Sequence, residues 1–237
     1  MTFPFKIGGL TVRFADGEAD RALCRALRAS AFGATEADRF DDLSRLLMIE
    51  DAEGALLSTL RLRLMPSGAG MQAGYVGQYH DLSPLACDPR PMMEVGRFCV
   101  APGLLDPDIL RLAWGALARV VDAEGVALLF GVTSFPGTDP APHAAVFRAL
   151  AARHLGPPAL RPTPGRGQAA CRFDALPPAL TPPGPMPSLM RSYLALGGWT
   201  ADYAVVDRDL GTLQVFTALD VSAVPPARAR ALRGLAR

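Results

Sequence analysis

One apolar segment holds a carboxylate and a guanidinium group that could act on a substrate. Glu94 and Arg97 lie three residues apart in the segment Glu94-Val-Gly-Arg-Phe-Cys-Val100, which has the composition of a central strand. The alternation of a strand predicts Cys99 on the face of Val95 and Arg97, opposite Glu94. Since burying either charge alone is costly, two interpretations stay open. One is a buried structural ion-pair network, and the other is a cleft in which Glu94 accepts a proton or an amine.

A second group of charges precedes the segment that starts at Arg45. It consists of four acidic residues, which are Glu36, Asp38, Asp41 and Asp42. Carboxylates in such a turn are often only solvated, but a turn folded over the end of a sheet would offer them to an amine. The sequence alone leaves both interpretations open.

The remaining reactive residues give a weaker signal. No GxSxG, GxGxxG, P-loop or HExxH motif occurs, and the cysteines show no CxxC spacing, so we predict no metal site and reduced thiols. A small buried thiol is the expected state of Cys99. We expect structural roles for the three histidines, which are His80, His143 and His154.

Composition limits the classes of protein. The 237 residues are 50% hydrophobic, with 24 Lys and Arg against 23 Asp and Glu. This composition excludes a disordered chain. The near-zero net charge lacks the excess of Lys and Arg that a general nucleic-acid binder uses to contact phosphates. The longest apolar run, 126–132, is too short to span a bilayer, which takes about 20 residues.

The elements that must position these residues begin with antiparallel strands. Alternation predicts strands over 10–14, 45–50 and 55–65, with Arg61 and Arg63 on one face of the third. Between the first two, a helix should run to Gly33, with its apolar spacing at Leu23, Leu27, Ala31 and Phe32.

Strands and helices then alternate, which predicts a mixed α/β sheet. We expect strands at 92–100 and 126–132, and helices from Asp106-Pro107 to Gly125 and over 142–155. Prolines make residues 155–188 a semi-rigid wrap, followed by a helix over 188–196, strands at 203–206 and 212–219, and a helical tail from Pro226. The predicted domains are a core over 1–173, a connector over 174–187 and a C-terminal extension over 188–237.

Several strings, in this order and spacing, resemble one family. They are Asp38-Arg-Phe-Asp-Asp-Leu-Ser-Arg-Leu-Leu-Met-Ile-Glu-Asp51, Ser58-Thr-Leu-Arg-Leu-Arg-Leu64, Gln78-Tyr-His-Asp-Leu-Ser-Pro-Leu85, Glu94-Val-Gly-Arg-Phe-Cys-Val100, Leu129-Phe-Gly-Val-Thr-Ser-Phe-Pro-Gly-Thr-Asp139, Tyr193-Leu-Ala-Leu-Gly-Gly-Trp199 and Ala204-Val-Val-Asp-Arg-Asp209. The sequence is similar to the ornithine Nα-acyltransferases of ornithine-lipid synthesis, which are GNAT-fold relatives of the acyl-homoserine-lactone synthases.

The resemblance implies a GNAT acyltransferase fold, with a mixed, mostly antiparallel sheet and helices on both faces. It also implies transfer of a 3-hydroxyacyl chain to the α-amino group of ornithine or a similar amino acid, such as glutamine. Glu94 and Arg97 would be catalytic, with Glu94 taking the amine proton directly or through water. The substrate-binding candidates are Asp38, Asp41, Arg61, Phe98, Cys99, Val100 and Ser134.

The resemblance also implies a donor. Relatives that use coenzyme A place an [RQ]xxGx[GA] loop before the helix that follows the Glu94 strand, and Ala101-Pro-Gly-Leu-Leu-Asp-Pro107 lacks that pattern. We therefore expect the thioester of acyl carrier protein as donor, with no cofactor, metal or nucleic acid. The expected location is the cytoplasm, with peripheral contact to the inner face of the membrane. Two alternatives stay open: an acyl-homoserine-lactone synthase-like enzyme, or a non-catalytic GNAT-shaped module that binds lipid or acyl chains.

Overall fold

A computed structural model describes residues 3–33, 38–104, 106–176 and 186–235. Within these ranges the helices are α1 Gly17–Phe32, α2 Pro107–Glu124, α3 Ala144–Arg153, α4 Ser188–Ala195 and α5 Pro226–Gly234. The strands are β1 Phe5–Ile7, β2 Leu10–Phe14, β3 Arg45–Glu50, β4 Leu56–Met65, β5 His80–Asp81, β6 Met92–Val100, β7 Leu128–Pro136, β8 Thr163–Pro164, β9 Ala170–Arg172, β10 Trp199–Thr200, β11 Tyr203–Asp207 and β12 Thr212–Asp220. No described helix is both long enough and apolar enough to cross a membrane.

The chain forms two compact units that are not continuous in sequence. Unit 1 holds Met1–Leu64, Met93–Val126 and Pro225–Arg237, and unit 2 holds Met65–Met92 and Ala127–Val224. The predicted division into 1–173, 174–187 and 188–237 stays a prediction. Most of its connector, residues 177–185, lies outside the described residues.

Unit 1 is built on strands in the order β1-β2-β3-β4-β6. The antiparallel pairing of β1 through β4 confirms the predicted meander, which gains β1 as an unpredicted first strand. Helix α1 ends where expected, because Gly33 adopts a left-handed φ of 72° and its N–H bonds to the Ala29 carbonyl.

The apolar positions predicted for α1 do not form its buried face, so this part of the prediction is wrong. Leu23 and Phe32 are exposed, whereas Cys24 and Arg28, four residues apart on another face, are buried. The charged side chain of Arg28 can be buried because its guanidinium group pairs with the carboxylate of Asp41.

Helix α2 follows its sequence signals closely. Asp106 accepts a hydrogen bond from the Asp108 N–H at 2.8 Å, Pro107 takes the first helical position, and Gly125 ends the helix with φ 62°. Helix α5 packs against α2, and Arg233 pairs with Asp122 at 2.7 Å.

Unit 2 contains strands in the order β7-β12-β11-β9. Strand β7 runs from Leu128 to Pro136, later and longer than the predicted 126–132, because all nine of its residues pair with β12. One apolar cluster packs around Phe130 and Phe216, and another around Phe135, Phe147 and Val215. The proline-rich wrap supplies the short strands β8 and β9, which the sequence did not predict.

Candidate active site

Glu94 lies in the first half of β6, in unit 1, and its side chain is almost fully buried, with 3% exposure. Three residues later Arg97 adopts a φ of 54°, the left-handed region that residues other than glycine rarely occupy. This kink interrupts the regular alternation of the strand, so the predicted faces of Arg97 and Cys99 cannot be derived from a period of two. Non-glycine residues held in this conformation cluster at functional sites.

Arg97 and Arg61 both bind the carboxylate of Asp38. Nη1 of Arg61 lies 2.6 Å from Oδ1 and 2.7 Å from Oδ2 of Asp38, and Nη2 of Arg97 lies 3.3 Å from Oδ2. Burial would raise the pKa of Asp38, but the hydrogen bond from Arg61 and the charges of both arginines outweigh it and lower the pKa. Asp38 is therefore an ionised group that ties the acidic segment to β4 and β6.

Asp41 is the buried centre of the same network. Its carboxylate receives both terminal nitrogens of Arg28 and, at 3.2 Å, Nη1 of Arg61, while its carbonyl accepts from Arg21 at 2.8 Å. The side chains of Arg28 and Arg61 are only 1% and 2% exposed. Charges this deeply buried are stable only in mutual pairs with hydrogen bonds.

These contacts decide one question that the sequence left open. Asp38 and Asp41 are not a solvated turn, because both are held by arginines of helix α1 and strands β4 and β6. We name the group formed by Arg28, Asp38, Asp41, Arg61 and Arg97 the Asp–Arg network. Asp42 is exposed, and Glu36 lies outside the described residues.

Within the Asp–Arg network, exposure separates two kinds of residue. The Asp38 side chain keeps 23% of its surface exposed and that of Arg97 keeps 11%, whereas Asp41 is buried. An amino acid carries an ammonium and a carboxylate, and these two side chains offer the matching charges at the accessible edge. Asp41 is connected to that edge through its contact with Arg61 at 3.2 Å, and its predicted role in substrate binding stays a prediction.

The end of β6 is tied to β4 by two further contacts. The Ser58 hydroxyl donates to the Cys99 carbonyl at 2.7 Å, and the Ala101 N–H donates to the Leu57 carbonyl at 2.8 Å. Cys99 is buried, and Phe98 and Val100 are half-buried. The backbone at Phe98–Val100 is thus held in place, but the contacts do not test the substrate-binding roles predicted for these residues.

Ser134 and the three histidines lie outside this group of contacts. Ser134 is exposed on β7, in unit 2. His80 is fully buried with its Nδ1 2.8 Å from the Tyr203 hydroxyl, and burial lowers its pKa to about 3. His143 contacts the Pro136 carbonyl, and His154 caps α3. The described residues contain no group of three or more His, Cys, Asp or Glu side chains suited to hold a metal ion.

Sequence reasoning missed the contributions of helix α1. Arg28 and Arg21 both hold Asp41, and neither was named as a candidate. A signal was present, since Arg21, Cys24 and Arg28 fall at helical spacing on one stripe. Two arginines in line with a small buried residue indicate a buried carboxylate partner.

Comparisons with known proteins identify the fold. Residues 21–115 match the family model described as an acetyltransferase (GNAT) domain, a range that runs from within α1 through β3, β4, β5 and β6 into the first half of α2. The structure of FeeM, an N-acyl amino acid synthase from uncultured soil microbes, superposes with a TM-score of 0.55 at 12% identity and covers 96% of each chain. The fold is therefore the GNAT fold, as predicted.

Two curated relatives carry the same name. L-ornithine N(alpha)-acyltransferase of Rhodobacter capsulatus is 34% identical over 203 residues, which cover 80% of this chain and 76% of that protein. The Brucella abortus protein of that name is 28% identical over 251 residues, covering 92% of this chain and 87% of its own. The chain is therefore an acyltransferase and belongs to the L-ornithine Nα-acyltransferase family.

Proposed function

We propose that this acyltransferase moves a 3-hydroxyacyl chain from acyl carrier protein to the α-amino group of ornithine or a similar amino acid. The product is a lyso-ornithine-type lipid. The observation that carries the proposal is the 34% identity, over 80% of the chain, to a protein named L-ornithine N(alpha)-acyltransferase. The Asp–Arg network supports it, because an amino acid with charged groups of both signs fits its accessible edge.

The reaction needs one proton acceptor and one site for negative charge. The α-amino nitrogen attacks the thioester carbonyl, a C–N bond forms, and the thiolate of the carrier protein's arm leaves. Glu94 takes the amine proton, directly or through water, and main-chain N–H groups near Phe98–Val100 stabilise the oxyanion. Burial of Glu94 on a strand places this base on a rigid element.

In the acceptor site, Asp38 and Arg97 contact the amino acid. Asp38 binds an ammonium group and Arg97 binds the carboxylate, each by a charge-assisted hydrogen bond. Arg61 and Asp41 are positioning residues, since both are buried: Arg61 holds the Asp38 carboxylate, and Asp41 holds Arg61.

The start of α2 supports a carrier-protein donor over coenzyme A. A helix N-terminus binds phosphate when its first N–H groups are available and no negative charge competes. Here Asp106 already accepts from one of these N–H groups, and Asp108 adds a second carboxylate in the first turn. A pyrophosphate would therefore meet repulsion at this position. Membrane contact at the inner face of the bilayer, where an amphiphilic product would leave the enzyme, stays a prediction.

The proposal is tested by expressing the chain in a bacterial host that lacks ornithine lipids. Mass spectrometry of total lipid should show an N-acylated ornithine with a hydroxylated chain, and a strain carrying Glu94→Gln should show far less. Another N-acylated amino acid would correct the acceptor. An acyl-homoserine lactone, or no acylated amino acid at equal protein level, would overturn the proposal.

A further inference from the structure

One buried glutamine in unit 2 has an acceptor atom that the described residues leave unused. Gln214 lies on β12 with 1% exposure, and no described residue donates a hydrogen bond to its Oε1. A buried polar atom without a partner is costly, and such atoms in native proteins need an explanation.

The orientation of this amide is fixed by its neighbours. Nε2 of Gln214 donates to Oδ2 of Asp207 and, at 3.2 Å, to the Tyr75 hydroxyl. A carboxylate can only accept, so the group that faces Asp207 must be the NH₂ group. Asp207 is itself held, because its Oδ1 accepts from the backbone N–H groups of Asp209 and Leu210 at 3.0 and 3.1 Å. Oε1 is consequently an acceptor whose direction Asp207 sets.

Gln214 lies on one face of the sheet, between a buried apolar part and an exposed polar part. Its cross-strand partner on β7 is Ser134, so the two side chains share a face, and the next pairs along it are Val132 with Phe216 and Phe130 with Ala218. Phe130 and Phe216 are fully buried in an apolar cluster, Val132 is half-buried, and Ser134 is exposed. This face therefore changes from apolar and covered to polar and open within a few residues.

A molecule that suits this boundary has an apolar chain with a hydrogen-bond donor near its polar end. We propose that Gln214 sets the acyl specificity of the enzyme: its Oε1 accepts a hydrogen bond from the hydroxyl group of a hydroxylated acyl chain, and Asp207 is the positioning residue. The inference rests on the proposed function. In this role Oε1 distinguishes a hydroxyacyl chain, whose hydroxyl donates a hydrogen bond, from the corresponding oxoacyl chain, whose carbonyl only accepts one. It also distinguishes the hydroxyacyl chain from an unsubstituted chain, which has neither group.

The experiment compares three donors on the same carrier protein. They are the 3-hydroxyhexadecanoyl, 3-oxohexadecanoyl and hexadecanoyl thioesters, each assayed for kcat/KM with saturating ornithine. The wild-type chain should prefer the hydroxyacyl donor by about 10-fold or more over both others, because a donor without a hydroxyl leaves Oε1 buried and unpaired. A wild-type ratio near one would overturn the inference.

Two variants separate the role of Gln214 from general packing. Gln214→Met keeps the length of the side chain but removes the acceptor, so the preference for the hydroxyl should fall to near one. Asp207→Asn keeps its shape and places an NH₂ group against Gln214, which turns the amide so that Nε2 faces the ligand. This variant should raise the rate with the oxoacyl donor relative to the hydroxyacyl donor.

The matched control is Gln168→Met, since Gln168 is another glutamine of unit 2 whose side-chain amide donates to the Gln78 carbonyl at 3.0 Å. It should leave the donor ratios unchanged. Unchanged ratios in both Asp207→Asn and Gln214→Met would overturn the inference, while acylation of ornithine continued. Absence of transfer from every donor in the wild-type chain would instead refute the proposed function.

Discussion

Replacing Asp41 with asparagine should destabilise the protein far more than it changes substrate binding. The substitution removes the charge that pairs with Arg28 and that shares Arg61 with Asp38, and both guanidinium groups have almost no solvent exposure. Breaking a buried pair by removing one partner costs about 3–5 kcal/mol, out of roughly 5–15 kcal/mol for a whole protein. For a chain of this size the melting temperature should fall by roughly 6–20 °C.

The assay is urea-induced unfolding, followed by fluorescence, for the wild type and two variants. Asp42→Asn makes the same change at the next residue, which is exposed, and should stay within about 0.5 kcal/mol of the wild type. Kinetics at a temperature where Asp41→Asn remains folded should show the donor KM almost unchanged. An Asp41→Asn protein as stable as Asp42→Asn, with a raised acceptor KM, would refute our assignment and make Asp41 a substrate contact.

The remaining predictions concern four other sites. Glu94→Gln should keep the fold and donor binding while lowering turnover by about 10²–10⁴-fold, and near-wild-type turnover would leave Glu94 a structural role only. Acyl carrier protein should be a much better donor than the matching acyl-CoA, with rates that fall as salt rises, and equal rates with both would contradict our interpretation of Asp106. The pKa of His80 is about 3 in the folded protein, against an ordinary value of 6.5. The free energy of unfolding should therefore fall by about 1.4 kcal/mol per pH unit as the pH drops from about 6.5 toward 3. His80→Gln should flatten this dependence, measured by urea unfolding at several pH values. Gly68→Ala should lower the melting temperature, since a Cβ there would lie 1.9 Å from the Leu85 carbonyl oxygen, and an unchanged value would show that this backbone can shift.

Local signals predicted the long elements well. The Asp106-Pro107 start and the Gly125 end of α2 are decided by backbone hydrogen bonds within a few residues, so the sequence alone places them. The strands β5, β8 and β9 are two or three residues long and exist only because distant partners pair with them. No window of sequence contains that information. The predicted range of β7, 126–132, was wrong for the same reason, because pairing with β12 determines where this strand begins and ends.

The candidate site was predicted by residue type but not by geometry. Asp38, Arg61 and Arg97 were named as site residues, and the structure brings them together in one network. Arg28 was missed because a charged residue on a helix is ordinarily expected to face water. The left-handed backbone at Arg97 has no local cause in the sequence, and only tertiary contacts can maintain it.

The pairing of β7 with β12 has a consequence for how the chain is made. The partners in this ladder lie roughly 80 residues apart in sequence, and such non-local contacts slow folding because a long loop must close first. Unit 1 likewise contains α5, which follows β12 in the sequence and packs on α2. During synthesis, which adds about 5–20 residues per second, unit 2 cannot complete its structure until β12 has left the ribosome, and unit 1 cannot do so until α5 has. Nascent chains should therefore depend on chaperones over most of their length, and deletion of the last strand should abolish folding of unit 2 as a whole.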